Sequence, residues 1–340
     1  LSRGHTHLDA HERTRIRAGL LSLSVSVLLL GAKAIAYRMT GSSAVLSDAL
    51  ESIVNVVAAL FGLGSLWYAS QPADRNHPYG HGKIEFVSAA FEGGLIAFAA
   101  VLILFESGEA LLTGRAPHDV DRGLWIVLGA GLVNLALGAF LVRTGRKTSS
   151  LTLVADGKHV LSDFWTSAGV ALGLGLVHVT GLGWLDPVAA ALVALWLLRT
   201  GAGLVRHAAG GLLDEEDPAF VRRLIEALGE RMGAGVIRVH HLRAMRNGRF
   251  HHVDAHLVVP EFWDVDRAHR LTEKVSAAVL ARLGVEGELD FHTDPCHQAY
   301  CASCDLTDCP VRREPFTGIT PLTLEEARRP DGVVRHEDGR

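Results

Sequence analysis

Charge is scarce in the first part of this 340-residue chain: up to residue 213 there are 14 acidic and 16 basic side chains, against 23 and 17 in the 127 residues that follow. The averages, 49% hydrophobic and 21% charged, would suit a slightly greasy soluble globule. The uneven split excludes one and implies two solvents, lipid for the first part and water for the second. A concentrated basic surface is missing too, with a net charge of -4, which excludes nucleic acid as a partner. Cysteine is rare and confined, all four lying between 296 and 309, and this argues against disulfide staples spread over an extracellular domain. The first fifteen residues, rich in His and Arg with Asp9 and Glu12, lack the apolar core of a secretory signal, so the first apolar stretch is expected to stay in the protein.

What is present is length of apolar run. Crossing about 30 Å of hydrocarbon takes about 20 mostly apolar residues in a helix. Six windows meet that need, at roughly 16–38, 42–69, 84–113, 122–143, 150–179 and 184–207, and predict a six-helix membrane bundle over 16–213 after a His-containing segment at 1–15. Arg13, Arg15, Arg17, Arg75, Lys83, Arg143, Arg146, Lys147 and Arg206 flank one side of these windows, and only Arg38, Arg115 and Arg122 the other. The bias predicts that both termini are cytoplasmic, and the inner (plasma) membrane is the expected location.

After Asp214 the pattern becomes that of a small α/β domain over 214–295. An amphipathic helix near 217–231, strands near 236–245 and 250–259 joined at the Asn247-Gly248 turn signal, a helix near 264–283 and a strand near 287–293 give an αββαβ order. That order suits a three-stranded sheet with two helices on one face, a ferredoxin-like or metallochaperone-like arrangement. Residues 296–340 read as a Cys-rich motif and a tail whose last twenty or so residues lack the composition to hold a structure.

Ionisable residues inside a bilayer are costly and point to function. In the second helix Asp48, Glu51 and Asn55 stand at i, i+3 and i+7, and in the fifth Asp156, His159 and Asp163 repeat the spacing. Each triplet lies on one helix face. Two such stripes can meet as a four-ligand cage, most simply Glu51, Asn55, His159 and Asp163 with Asp48 and Asp156 in support. Its oxygen and nitrogen donors suit a divalent transition metal. Glu92, Glu106, Glu109, Asn134 and Lys33 show no such partner pattern and are expected to pack, sit near loops or carry protons.

No ATP motor is encoded, since Gly82-Lys83 and Gly157-Lys158 are followed by residues other than Ser or Thr. Transport would run on a gradient, and a metal displacing protons from His159 and the carboxylates supplies a coupling mechanism. An intramembrane metallohydrolase is disfavoured because no His-Glu-x-x-His occurs, so the chain is not expected to be an enzyme.

These residues resemble the cation diffusion facilitator family of divalent metal exporters over roughly 13–295. The resemblance is carried by Thr40-Gly41-Ser42, the Glu51/Asn55 pair, the loop from Gln71 through Asp74, His77 and His81 to Lys83, the stretch from Ala155 to Asp163, and His292-Thr293-Asp294-Pro295-Cys296. It implies a homodimer that exports metal by proton antiport with alternating access, and a transport site at Glu51, Asn55, His159 and Asp163. It further implies a loop metal site at Asp74, His77 and His81, an inter-subunit charge interlock of Lys83 with Asp214, and a cytoplasmic metal site at His240, His256, His269, His292 and Asp294. Zinc-carrying members usually have two carboxylates, or His and Asp, where this chain has Glu51 and Asn55. Zn²⁺ is the favoured cargo and Fe²⁺ the closest rival, with Mn²⁺, Co²⁺, Ni²⁺ and Cd²⁺ open. The competing functions are a cytoplasmic metal sensor and a passive metal channel without proton coupling. Outside the family pattern, Cys296, Cys301, Cys304 and Cys309 form C-x4-C-x2-C-x4-C, a set that suits Zn²⁺ or, second, an iron-sulfur centre.

Overall fold

The computed structural model describes residues 10–40, 43–113 and 124–330, without the side chains of residues 36, 37, 39, 40, 43–51, 124–128, 170, 174 and 178. The chain divides into two compact units, Leu1–Leu213 and Asp214–Arg340.

The first unit is built of helices: α1 (Ala10–Thr40), α2 (Ser43–Ala69), α3 (Ile84–Thr113), α4 (Leu124–Lys147), α5 (Leu151–Thr180) and α6 (Leu185–Leu212). Five of them contain a window long and apolar enough to cross a bilayer, within Ala10–Ile35, Ser52–Ala69, Ile84–Thr113, Leu151–Val177 and Leu185–Leu212. α4 holds Arg143, Arg146 and Lys147 in its last five residues and contains no such window among the described residues. It belongs to the bundle through packing: Leu137 and Leu141 of α4 share a buried cluster with Ala18 of α1, Leu66 of α2 and Leu153 and Val160 of α5. Large apolar side chains such as Leu28, Phe98, Phe105 and Val179 point outward, as a hydrocarbon solvent requires.

Two pairs of helices touch backbone to backbone through glycine. A Cβ added at Gly201 of α6 would stand 2.6 Å from the Gly93 carbonyl oxygen of α3, and one at Gly157 of α5 would stand 2.7 Å from the Val142 nitrogen of α4. Small residues at such crossings let membrane helices approach closely where apolar burial supplies no driving force. Gly157 lies next to Asp156, and Gly93 next to Glu92, so these approaches also set the depth at which the acids enter the bundle.

A buried ion pair gathers one end of the bundle. Arg15 Nη1 of α1 lies 3.3 Å from Glu85 Oε1 of α3, with both side chains under a tenth exposed. Glu85 Oε2 accepts from the Ser150 hydroxyl at 2.6 Å and from the Thr152 N–H at 3.3 Å. Ser150 is itself the N-cap of α5. A carboxylate facing a helix N-terminus meets unpaired N–H groups and the positive end of the helix dipole, and Arg15 also donates to the Thr148 carbonyl.

The second unit runs α7 (Pro218–Gly229), β1 (Arg238–Asn247), β2 (Phe250–Val259), α8 (Val265–Leu283) and β3 (Glu286–Pro295), the expected αββαβ order. Asp217 caps α7 by accepting from the Ala219 N–H at 2.8 Å, with Pro218 in the first turn. The β1–β2 hairpin turns on Gly248 and Arg249, because Asn247 pairs with Phe250 and Gly248 takes φ 63°, one residue later than the Asn247-Gly248 signal suggests. β2 pairs antiparallel with β1 and parallel with β3, which requires the crossover through α8. Both helices cover one sheet face, where Leu224 and Leu228 of α7 and Val275 and Val279 of α8 meet Val239, Val253, Leu257 and Leu289.

The alternation of β1 is broken between His240 and Arg243 by a bulge, with His241 at φ 52°. The chain beyond β3 is more ordered than its composition predicts. A 3₁₀ turn spans Gln298–Ser303, and α9 (Leu324–Arg328) opens with a capping box between Thr323 and Glu326. Ala327 of α9 is fully buried, and Arg238 of β1 pairs with Glu326 and donates to the Thr320 carbonyl at 3.0 Å. The structureless tail expected from about residue 321 is thereby corrected for 321–330, where a buried alanine and an ion pair to β1 supply what polar composition does not. The rest of that tail lies outside the described residues.

Candidate metal centres

The intramembrane stripes of α2 and α5 meet. Asn55 Nδ2 donates to Asp163 Oδ2 at 2.6 Å, and His159 Nε2 lies 3.1 Å from Asn55 Oδ1. His159 is buried while Asn55 and Asp163 are half-buried. The amide stands between imidazole and carboxylate, presenting one polar atom to each. Asp156, a turn earlier on α5, is buried. Asp48 and Glu51 belong to α2, but their side chains lie outside the described residues. The structure therefore brings together Asn55, His159 and Asp163 of the expected four.

A third polar stripe joins them. Glu85, Ser88 and Glu92 of α3 are all buried, at i, i+3 and i+7, the same spacing as the triplets on α2 and α5. Glu92 has no exposed surface, and its Oε2 lies 3.9 Å from His159 Nδ1. The acids alone show no pattern around Glu92, and one emerges once Ser88 is counted with them.

The loop between α2 and α3 forms a second centre. One ligand atom each from Asp74, His77 and His81 lies within 4.8 Å of the others. Gly80, at φ 87°, makes the turn that sets the His77 and His81 rings 4.4 Å apart. Asp74 Oδ1 accepts from the His77 N–H at 2.7 Å and the Asn76 N–H at 2.8 Å, and its Oδ2 lies 3.5 Å from His81 Nε2. The His77 N–H, more than any other group, holds the Asp74 carboxyl below its ordinary range. A carboxylate so held beside two imidazoles is a partial shell for a divalent cation, and the same contacts order the turn leading into α3.

On the sheet face opposite α7 and α8, His240, His256 and Asp294 converge, again with ligand atoms within 4.8 Å. Asp294 Oδ2 lies 3.2 Å from His240 Nε2 and 3.0 Å from His256 Nδ1, while its Oδ1 lies 3.3 Å from His292 Nε2. The register explains the meeting: His240 pairs with His256 across one ladder and His256 with His292 across the other. The bulge adds His241, whose ring stacks 4.7 Å from that of His256 although strict alternation would turn it away. A cleft of about 560 Å³ beside the group is lined by His241, Arg243, Asp254, His256, Asp290 and His292.

Two of the expected ligand sets are not brought together within the described residues of the single chain. His269 does not join this group: it stands on α8, which covers the opposite sheet face, and lies 3.5 Å from Glu273 one turn on, with two thirds of its side chain exposed. The four cysteines do not form a ready thiolate cage either. Among the described residues, the groups of three or more ligand atoms within 4.8 Å are the loop and sheet clusters just given. Cys304 is instead buried with Ile237 and Val258, and Cys296 is partly buried against them. Arg312 orders the surrounding loop by donating to the carbonyls of Cys301 at 3.1 Å and Cys304 at 2.9 Å. Burial, more than any other cause, pushes the Cys296 thiol up, and Cys304 and Cys309 lie near enough to add to the shift. Lys83 closes the turn into α3, and Asp214 heads the second unit at φ 58°.

The pattern of the cation efflux transmembrane domain matches residues 19–213, and that of the cation efflux protein cytoplasmic domain matches 217–296. A Synechocystis protein named "Uncharacterized transporter sll1263" is 36% identical over 78% of this chain and 85% of its own. The magnetosome protein MamM of Magnetospirillum gryphiswaldense is 33% identical over 78% of this chain and 83% of its own, and the cation-efflux pump FieF of Shewanella oneidensis 28% over 82% and 93%.

Proposed function

The chain belongs to the cation diffusion facilitator family of multi-pass membrane proteins that carry out metal cation efflux, and from that premise we propose that it exports a divalent transition metal, zinc before iron(II), in exchange for protons. The carrying observation is the contact of Asn55, His159 and Asp163 between two membrane helices. Imidazole nitrogen with carboxylate and amide oxygen is a donor set for a borderline cation, and cells select among such cations by geometry and availability as much as by affinity. Glu51, one turn before Asn55, completes the set, with Asp48 and Asp156 beside it. Binding displaces protons from the imidazole and carboxylates, so reprotonation from the far side releases the metal and couples the two fluxes.

In this reading the protein works as a homodimer in the inner membrane, alternating between cytoplasm and outside, with both termini cytoplasmic and Lys83 interlocking with Asp214 between subunits. The cytoplasmic domain senses metal through His240, His256, His292 and Asp294, and the loop group of Asp74, His77 and His81 holds a second cation.

The test is uptake by proteoliposomes offered Zn²⁺, Fe²⁺, Mn²⁺, Co²⁺, Ni²⁺ and Cd²⁺ while lumenal pH is recorded. Saturable uptake of one metal with opposite proton movement is expected. Metal flux without proton movement would make the protein a channel, and binding without flux would make it a sensor. Asn55→Asp restores the carboxylate more common in zinc carriers and is expected to move selectivity toward Zn²⁺ over Fe²⁺. An unchanged ranking across the panel would remove Asn55 from metal selection.

A further inference from the structure

We propose that Glu92 is a positioning residue for the membrane site: its carboxylate accepts a hydrogen bond from Nδ1–H of His159 and so reserves Nε2 for the metal. This rests on the reading of Asn55, His159 and Asp163 as the transport site.

The imidazole of His159 lies between two polar neighbours from different helices. Its Nε2 faces Asn55 at 3.1 Å, and through the amide faces Asp163. Its Nδ1 faces Glu92 Oε2 of α3 at 3.9 Å. An imidazole that gives one nitrogen to a cation while neutral carries its hydrogen on the other. With Nε2 on the metal, that hydrogen points at Glu92. Closing the gap to hydrogen-bond range takes about 1 Å, within reach of a small change in the glutamate torsions.

Glu92 has little else to satisfy it. It is wholly buried, and neither oxygen accepts a hydrogen bond among the described residues. A carboxylate in that setting is expensive unless a positive charge or a donor stands nearby. Gly93, the residue next to it, lies directly against α6, where a Cβ would meet Leu204 at 2.8 Å, and this fixes the backbone that carries Glu92. A carboxylate behind a ligating histidine fixes its tautomer and raises its basicity, and losing such a partner typically costs 10- to 100-fold in metal affinity. Glu92 is placed to do this without taking a coordination position itself.

Full-length protein in proteoliposomes tests this with E92Q, E92L and D163A, measuring initial uptake against free Zn²⁺. The half-saturating concentration is expected to rise about 10- to 100-fold in E92Q, with a smaller fall in maximal rate, and further in E92L, which cannot accept a hydrogen bond. Wild-type half-saturation in E92Q and E92L, with D163A inactive, would overturn the role of Glu92 and leave the membrane site standing. Wild-type uptake by D163A would remove the site itself. A second measurement needs no variant of Glu92: ¹⁵N spectra of histidine-labelled protein with Zn²⁺ in nanodiscs, the His159 signals assigned by their loss in H159N. Metal-bound Nε2 with hydrogen on Nδ1 is expected, and ligation through Nδ1 would overturn the proposal even if the Glu92 variants fail to fold.

Discussion

Asp163→Ala is expected to reduce metal uptake by more than the roughly hundredfold that loss of an outer-shell group can cause, while the protein stays folded. Asp163 is only half-buried, and its side chain accepts from Asn55 Nδ2 at 2.6 Å. Truncation leaves that amide one hydrogen bond short, a loss of about 1 kcal/mol. The backbone around it keeps its shape, because Thr166 and Ser167 donate to the Asp163 carbonyl, which the substitution retains. A site missing one of its few anionic ligands loses coordination and charge together. Uptake by liposomes, with gel filtration and a melting curve on the same preparation, separates lost transport from lost fold. Undiminished uptake would mean that the cation travels elsewhere.

The second large effect falls on stability. Arg15→Met removes the guanidinium from a pair with less than a tenth of either side chain exposed. Breaking a buried ion pair from one side costs about 3–5 kcal/mol, because the remaining charge stays buried. Ser150 and Thr152 still donate to Glu85, which places the expectation nearer the lower figure. Denaturant unfolding in detergent would register it. Arg15→Met with Glu85→Gln should recover much of the loss, since no uncompensated charge remains. A single variant as stable as the wild type would show that the pair does not hold α1, α3 and α5 together.

The elements that read clearly from the sequence were those whose signal is periodic. Runs such as 84–113 are long enough to outvote any single acid within them, and the i, i+3, i+7 triplets put Asn55 opposite His159 and Asp163 by spacing alone. The αββαβ order was legible for the same reason, since Leu224, Leu228, Val275 and Val279 repeat at helical intervals and the strands alternate. Single-residue irregularities were not legible. The bulge at His241 depends on how β1 is gripped by β2 and by the tail, where the His241 N–H donates to the Arg329 carbonyl at 2.9 Å. The stripe of Glu92 is hard to read because Ser88, its middle member, does not look like a functional residue in isolation. Cysteine spacing suggested a cage, but the burial of Cys304 beside Val258 depends on how the loop folds onto β2, and spacing carries no such information.

The glycine crossings carry a mechanical consequence. Helices separated by side chains can shift because rotamers yield, whereas helices that meet carbonyl to Cα have nothing soft between them. α3 with α6, joined at Gly93 and Gly201, and α4 with α5, joined at Gly138 and Gly157, act as two stiff laminae. Relative movement is therefore expected between these pairs and at their borders with α1 and α2, and one such border is where Asn55 reaches across to Asp163.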